Sequence, residues 1–423
     1  MSSVALLPPG LPVQELWDQI IDLLDQYRDL KSCALVSRSF RPRAQHQLFH
    51  HVTFKTADCT SGVPGDKFAA CLRLVSILVT SPHLQRHIRH ISLPFSCEIL
   101  AHVCGMRLSR LREIEFLQTD NCPSADDPSF GFAHDLIARP SVRRVRIDVR
   151  RWSFEDGAGL SPSVLSRIFQ SPAPHLQHLA FNLGNSRIRG APATPQLACT
   201  HRAQIKSLNI MFSPEIGDYL IHPACPFDLS RLEDVQISSS MTPAVEQVLE
   251  IGRFTIKRLE CSADDLAWGL GLNRFPYLAH LTIIAYGSEL PDVINGLAAA
   301  SSNCIESLIL LVPVDMFENW AEKDDIARLD TILSSSAMPA LQKAEIRFNK
   351  DDGSIEEHLT TRNVLRSSFP KLHVKGVLEV PRFDDRVMFW LWPQAKKPRL
   401  FGFGTKAKAK PKFWPELAVG LAS

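Results

Sequence analysis

Ten times between residues 88 and 346, two apolar side chains three positions apart are followed two positions later by a third. The first five units are Ile88-Ile91-Leu93, Leu111-Ile114-Phe116, Val142-Val145-Ile147, Leu176-Leu179-Phe181 and Ile205-Leu208-Ile210. The last five are Leu232-Val235-Ile237, Ile256-Leu259-Cys261, Leu278-Leu281-Ile283, Ile305-Leu308-Leu310 and Leu341-Ala344-Ile346. Successive side chains of a strand point to opposite faces, so each unit reads as a short strand with two apolar residues turned inward and the residues between them turned out. A strand this short cannot bury its own inner face; stacked neighbours can, which makes a repeating architecture the natural solution. The spacing is irregular, from 22 residues (Ile256 to Leu278) to 36 (Ile305 to Leu341).

Helical stretches fill the intervals. Ser161-Pro162 leads into Val164, Leu165, Ile168 and Phe169, and Thr242-Pro243 into Val245, Val248 and Leu249. A hydroxyl cap followed by proline starts a helix, because the side chain satisfies an orphan N–H and proline lacks one to satisfy. Pro291 leads Val293, Ile294 and Leu297, and Thr360 leads Val364 and Leu365 in the same way. Pro174, Pro276 and Pro339 stand just ahead of three of the strand units. Over roughly residues 66 to 380 this pattern resembles the leucine-rich-repeat region found behind many F-boxes. That resemblance implies a solenoid with a parallel strand row and helical connections. The family's Asn or Cys, three residues past the third apolar position, is replaced by Ser96, Thr119, Ser213 and Ser240, and only Asn349 fits. No Asn ladder is expected, and the solenoid should be irregular; an ordinary mixed α/β domain is the other reading of the same strands.

In a solenoid the outward residues of the strand row form one face. Its charged members include Glu113, Glu115, Arg144, Arg146, Asp234, Arg258, His280, Lys343 and Arg347, the candidate contacts for a bound protein. Their signs alternate. A nucleic-acid surface would be a basic stripe with stacking aromatics, so a protein partner is the better expectation.

Ahead of the repeats, Val13, Leu16, Trp17, Ile20, Ile21 and Leu24 recur at helical spacing and mark a short amphipathic helix. Pro12 and Glu15 suit its first turn. A second helix is expected from Leu30 to Phe40 and a third from Pro42 to Phe49, before Val52 and Phe54 alternate as in a strand. Three helices in so short a segment cannot bury this many large side chains, so part of the apolar face needs a partner. Leu11-Pro12, Glu15-Leu16-Trp17, Ile20-Ile21, Leu24, Asp29-Leu30, Cys33, Val36-Ser37-Arg38 and Phe40 resemble the F-box, which docks onto the Skp adaptor of cullin-RING ubiquitin ligases. Ala44, Leu48-Phe49, Val52 and Phe54 continue it in the style of fungal F-box proteins, and Phe40 stands where a Trp is more usual. The resemblance implies that Leu11, Pro12, Leu16, Trp17, Ile20, Ile21, Leu24, Leu30, Val36 and Phe40 divide between the module's own core and the adaptor face.

The fold expectation is therefore α/β: a flexible N-terminus over 1–10, a small helical F-box over 11–54, a leucine-rich-repeat-like solenoid over 66–380 and a basic tail over 393–423. From Pro393 onward seven basic residues face one acid, +6, so within a net charge of +2 the remainder carries −4. A tail so basic and rich in Ala, Gly and Pro reads as a disordered solubilising end or as an import or acidic-surface contact. Hydrophobic content of 45% and charged content of 22% are ordinary globular values. The ten cysteines are scattered without a C-x-x-C pair, and no signal or membrane-length apolar stretch appears, so reduced thiols and a cytoplasmic or nuclear location are expected, with no membrane partner.

Motifs for intrinsic chemistry fail on inspection. His83, His87 and His90 would share a helix face, but His90 falls inside a strand unit. Around Gly353 a calcium loop would place Phe348, Lys350 and Leu359 where oxygen ligands are required. Gly269-Leu270-Gly271 and Gly402-Phe403-Gly404 are too short for a phosphate or dinucleotide loop. No cofactor and no metal are expected. The resemblance implies a non-catalytic substrate receptor of an SCF-type (Skp-cullin-F-box) ubiquitin ligase, reaching cullin through the Skp adaptor and holding an unknown protein for ubiquitylation. The alternative is an F-box scaffold that promotes no transfer.

Overall fold

The computed structural model describes residues 13–24, 26–54, 65–117, 127–148, 162–170, 173–183, 202–211, 216–238, 241–285, 289–300, 304–313, 323–336, 338–349 and 366–379. The N-terminus 1–10, Leu11, Pro12, Thr119, Ser161, Ser213, Ser240, the loop 350–355, the helix start at Thr360 and the tail 393–423 lie outside the described residues.

The chain is α/β. Its strands are β1 (His51–Thr53), β2 (His90–Pro94), β3 (Glu113–Leu117), β4 (Arg144–Asp148), β5 (His178–Asn182), β6 (Ala203–Gln204), β7 (Ser207–Met211), β8 (Phe227–Asp228), β9 (Asp234–Ser238), β10 (Arg258–Ser262), β11 (His280–Ile284), β12 (Ser307–Pro313), β13 (Lys343–Asn349) and β14 (Leu378–Glu379). Twelve of them form one open parallel sheet in chain order from β1 to β14, and β6 and β8 form a separate two-stranded pair. Parallel neighbours require crossovers, and these are helical. The described helices are α1 (Val13–Asp22), α2 (Tyr27–Val36), α3 (Arg41–His50), α4 (Gly65–Thr80), α5 (Pro82–Gln85), α6 (Cys97–Cys104), α7 (Ser129–Ile137), α8 (Pro162–Ile168), α9 (Ile216–Ile221), α10 (Pro243–Gly252), α11 (Ala263–Ala267), α12 (Leu290–Ala299), α13 (Lys323–Ser334) and α14 (Pro370–Lys375). Successive crossover helices pack on one another, as α6 on α7, α7 on α8, α9 on α10, α11 on α12 and α12 on α13.

All thirty residues of the ten apolar triplets are at most 3% exposed. The middle residues stand in register from Ile91 through Ile114, Val145, Leu179, Leu208, Val235, Leu259, Leu281 and Leu308 to Ala344. Val52 and Leu378 extend this ladder at its two ends. Burying one such side chain stabilises by roughly 1.5–3 kcal/mol, so the ladder is the main source of the sheet's cohesion. The sheet takes its first strand from the segment 11–54: Phe54 N donates to Ser92 O at 2.8 Å, and the Phe54 ring lies in the main core.

Backbone atoms supply a regular contact between repeats. In each unit the residue after the first apolar position offers its carbonyl to two successive N–H groups of the next unit. Arg89 O accepts from Arg112 N and Glu113 N at 2.8 and 3.0 Å, and Arg112 O from Arg143 N and Arg144 N at 2.8 and 3.0 Å. The same pattern continues at Arg143, Gln177, Lys206, Glu233, Lys257, Ala279 and Glu306. Buried backbone groups must be paired, and here the turn ahead of each strand is pinned to its neighbour.

Two helix boundaries differ from expectation. The second helix runs from Tyr27 to Val36 rather than from Leu30 to Phe40. Ser37 is extended, and its hydroxyl accepts from Ser39 N at 3.2 Å, a local turn that competes with further helix. The first helix ends at Asp22, short of Leu24. Thr242 caps α10 as expected, its hydroxyl accepting from Val245 N at 3.3 Å. Further along, Asp330 in α13 accepts from Lys371 N and Leu372 N, both at 3.0 Å, and so caps α14 across the core. No described helix is long and apolar enough to cross a membrane.

Candidate functional site

Two surfaces hold the residues singled out by sequence, one on the N-terminal helices and one on the open face of the sheet. The first begins with a core too small for its chain. Ile21, Leu30 and Ala44 are its buried centre, with Leu24, Cys33, Ala34, Phe40 and Leu48 packed around them. The helices α2 and α3 pack closely, and α1 leans on α3. Arg43 pairs with Asp22, its Nε donating to Asp22 Oδ1 at 2.6 Å, and Gln47 donates to the same oxygen at 2.8 Å. These bonds, the one from Arg43 foremost, hold the Asp22 carboxyl below its ordinary range.

The remaining apolar side chains face water. Leu16 is 50% exposed, Trp17 41% and Ile20 40%, and Leu23, Tyr27, Leu35 and Val36 are more open still. Seven of the fourteen large apolar side chains exposed among the described residues thus lie between positions 16 and 36. Leu16 and Ile20 in α1 and Leu23 just past its end follow one another at steps of four and three, on a side turned away from buried Ile21. The exposed apolar side chains are thus concentrated on one small unit rather than scattered singly. Val36, expected to serve core or adaptor face, is 77% exposed, whereas Ile21 and Leu30 belong to the core. Leu23, Tyr27 and Leu35 were not among the residues singled out by sequence: Leu23 falls between the apolar positions that marked the first helix, and Tyr27 and Leu35 belong to α2.

On the open face, parallel register places the outward residues in rows. Glu113 meets Arg144 at 3.3 Å and His90 at 4.0 Å, and Arg146 meets Glu115 at 3.4 Å and Asp148 at 3.6 Å. Asp234 meets Arg258 at 3.2 Å, and His280 stands beside Arg258 in register. At the far end Arg347 clasps both oxygens of Glu345 at 2.7 and 2.9 Å, and Lys343 reaches Glu345 at 3.5 Å and pairs with Glu379. The alternating signs seen in sequence are therefore partners of one another: Glu113 with Arg144, Glu115 with Arg146, Asp234 with Arg258 and Lys343 with Glu379 across strands, each pair worth roughly 0.2–1 kcal/mol to the sheet, and Arg146 with Asp148 and Glu345 with Lys343 and Arg347 along one strand. Burial alone would raise the Glu345 carboxyl, but Arg347 and Lys343 hold it below its usual value.

The outward residues His90, Asn209, Gln236 and Glu260 follow from the strand pattern, whereas His51 lies ahead of the repeats and was not among them. His51 stacks on His90 with ring centroids 3.9 Å apart and planes within 9°. Between the two charged ends Asn209 donates to Gln236, and Gln236 to Glu260, a row of side-chain amides ending on a carboxyl. Burial, with Asp234 nearby, pushes that carboxyl up to about 7 despite the bond from Gln236. No group of three or more His, Cys, Asp or Glu side chains among the described residues is arranged to hold a metal. The face thus offers hydrogen-bonding amides and paired charges. Compared with protein-family models and with curated proteins, the chain matches none.

Proposed function

We propose that this chain is the substrate-recognition subunit of an SCF-type ubiquitin ligase, an F-box followed by an irregular leucine-rich-repeat-like solenoid. The observation that carries the reading is the apolar surface of α1 and α2, which the chain's own core leaves uncovered around Leu16, Ile20, Leu23 and Leu35. On this reading it docks the Skp adaptor and, through it, cullin. The strictly sequential parallel sheet and its in-register buried triplets support the solenoid. Its open face holds the target protein, and the mechanism is proximity: a tethered target sees the charged conjugating enzyme at high effective concentration, while other subunits supply the covalent chemistry.

The test is co-purification of the full chain with a Skp adaptor. Leu16→Asp with Ile20→Asp should abolish it while the chain still unfolds cooperatively, since both side chains are at least 40% exposed and neither belongs to the buried centre of the unit. Retention of the adaptor by this double variant sinks the docking assignment. A ubiquitin-transfer assay on the assembled complex with a bound protein then separates a ligase receptor from a scaffold.

A further inference from the structure

The middle outward row of the sheet face runs in register from Ala180 through Asn209, Gln236, Glu260 and Thr282 to Ile309. Within that stretch only Glu260 carries a charge. Every other outward carboxylate described in the twelve-stranded sheet has a cation: Glu113 has Arg144, Glu115 and Asp148 have Arg146, Asp234 has Arg258, and Glu345 and Glu379 share Lys343. Among the described residues the side-chain partner of Glu260 is the Gln236 amide alone. Arg258, two positions before it on β10, is turned to Asp234, and His280 on β11 stands beside Arg258, one row away. Burial holds the Glu260 carboxyl up to about 7, with Asp234 adding to the rise, and an approaching cation would favour its ionised form.

Two further atoms of the same patch lack a partner. Asn209 donates to Gln236 and Gln236 to Glu260, so the amide row runs toward the carboxyl and leaves Asn209 Oδ1 at its start, buried and without a hydrogen bond. Ser238 lies on the same side of β9 as Gln236, and its hydroxyl is buried and unpartnered as well. Buried polar atoms in folded proteins are paired with few exceptions, and here two exceptions flank an uncompensated carboxyl. The carboxyl, the amide oxygen and the hydroxyl oxygen can all accept.

We propose that this patch receives an arginine side chain of the protein held on the open face. The inference rests on the reading of that face as the target-binding surface. A guanidinium brings the missing positive charge with five N–H donors and no acceptor, which complements a patch whose unmet atoms accept. The ammonium of lysine is a more strongly hydrated point charge with fewer donors, and it matches a row of acceptors less well. A bound metal ion also fits less well, because no three His, Cys, Asp or Glu side chains among the described residues converge on one point. At the two ends of the row Ala180 and Ile309 offer apolar surface to the methylene stem of a long side chain.

Fluorescence polarisation of the full chain with degenerate peptide libraries tests the site, the central residue being fixed as arginine, as lysine, or as citrulline, the uncharged isostere of arginine. The arginine library should bind at least about fivefold tighter than either of the others. Glu260→Gln keeps the acceptor for Gln236 and should remove the advantage over citrulline while the chain stays folded. Asp264→Asn, at an exposed carboxyl in α11 off the sheet face, should leave the advantage intact. In the unsubstituted chain the advantage should also grow between about pH 6 and about pH 8 as Glu260 ionises, and this growth should vanish in Glu260→Gln, which retains Asp234, Arg258 and His280 around the site. Equal binding of the arginine and citrulline libraries, an arginine advantage that survives Glu260→Gln, lysine binding as tightly as arginine, or no binding of any library overturns the proposal. Adaptor co-purification and ubiquitin transfer read the receptor assignment separately, so failure of the arginine subsite is distinguishable from failure of that assignment.

Discussion

The indole of Trp17 rests against the phenyl ring of Phe40, with ring centroids 5.0 Å apart and planes tilted by 45°. Trp17 therefore serves two surfaces at once: one side covers the small N-terminal core, and the rest faces water. Leu16, the residue before it, is half exposed and belongs to no core cluster.

This distinction separates folding from docking. Trp17→Ala should lower the stability of the N-terminal unit by roughly 1–3 kcal/mol, less than the roughly 3–5 kcal/mol of a fully buried aromatic truncation, because the site is only partly buried. Binding of a Skp adaptor should weaken with it. Leu16→Asp should weaken that binding by about 2 kcal/mol or more, as for an interface anchor, with an unchanged melting temperature. Calorimetric unfolding of both variants decides the matter; an unchanged melting temperature for Trp17→Ala would show that the Phe40 contact contributes nothing.

Glu260 should set a pH dependence. In the unfolded chain its carboxyl titrates near the ordinary value of about 4.3, while in the folded chain burial holds it up to about 7. As pH rises between these values the unfolded state loses a proton that the folded state keeps, so stability falls through this window and levels off above it. Glu260→Gln keeps the acceptor for Gln236 and removes the titration. It should raise stability at pH 8 by roughly 1–3 kcal/mol and change little at pH 4. Denaturant titrations at the two pH values measure the difference, and an equal effect at both would remove the titration from the account.

Gly217 lies where α9 meets α10. A Cβ on it would stand 2.9 Å from Val245 N and 3.0 Å from the Ala244 carbonyl carbon and Cβ, contacts that rigid backbone cannot relieve. Alanine is the better helix former by about 1 kcal/mol, yet Gly217→Ala should destabilise by roughly 1–3 kcal/mol, because overpacking outweighs propensity. A rise in melting temperature would contradict the close approach of the two helices.

The triplets predicted the strand row almost residue by residue, since burial of a period-two pattern is a local signal that survives any arrangement of the crossovers. Thr242 and Pro243 announced α10 for the same reason: a cap acts within its own turn. Ser37 shows where such reasoning stops, because its hydroxyl could extend a helix pattern or end it, and the turn with Ser39 decided. The α11 capping box of Ser262 and Asp265, by contrast, was legible in type and spacing but hidden between two strand units. The pair β6 and β8 was not legible at all, being two residues each and paired across the intervening β7 and α9.

The amino-acid sequence by itself determined an α/β chain of stacked strand units behind a short amphipathic helical segment with surplus apolar surface, because periodicity and capping are properties of neighbouring residues. Tertiary structure alone decided which of those residues remain available. Parallel register set Glu113 against Arg144 and Asp234 against Arg258, turning apparent contact residues into one another's partners. The shared carbonyls of Arg89 and Arg112 brought arginines from separate repeats to one rim. Packing of Ile21, Leu30 and Ala44 left Leu16, Ile20 and Leu23 outside. Each outcome depends on distances between residues remote in sequence, which only the folded chain sets.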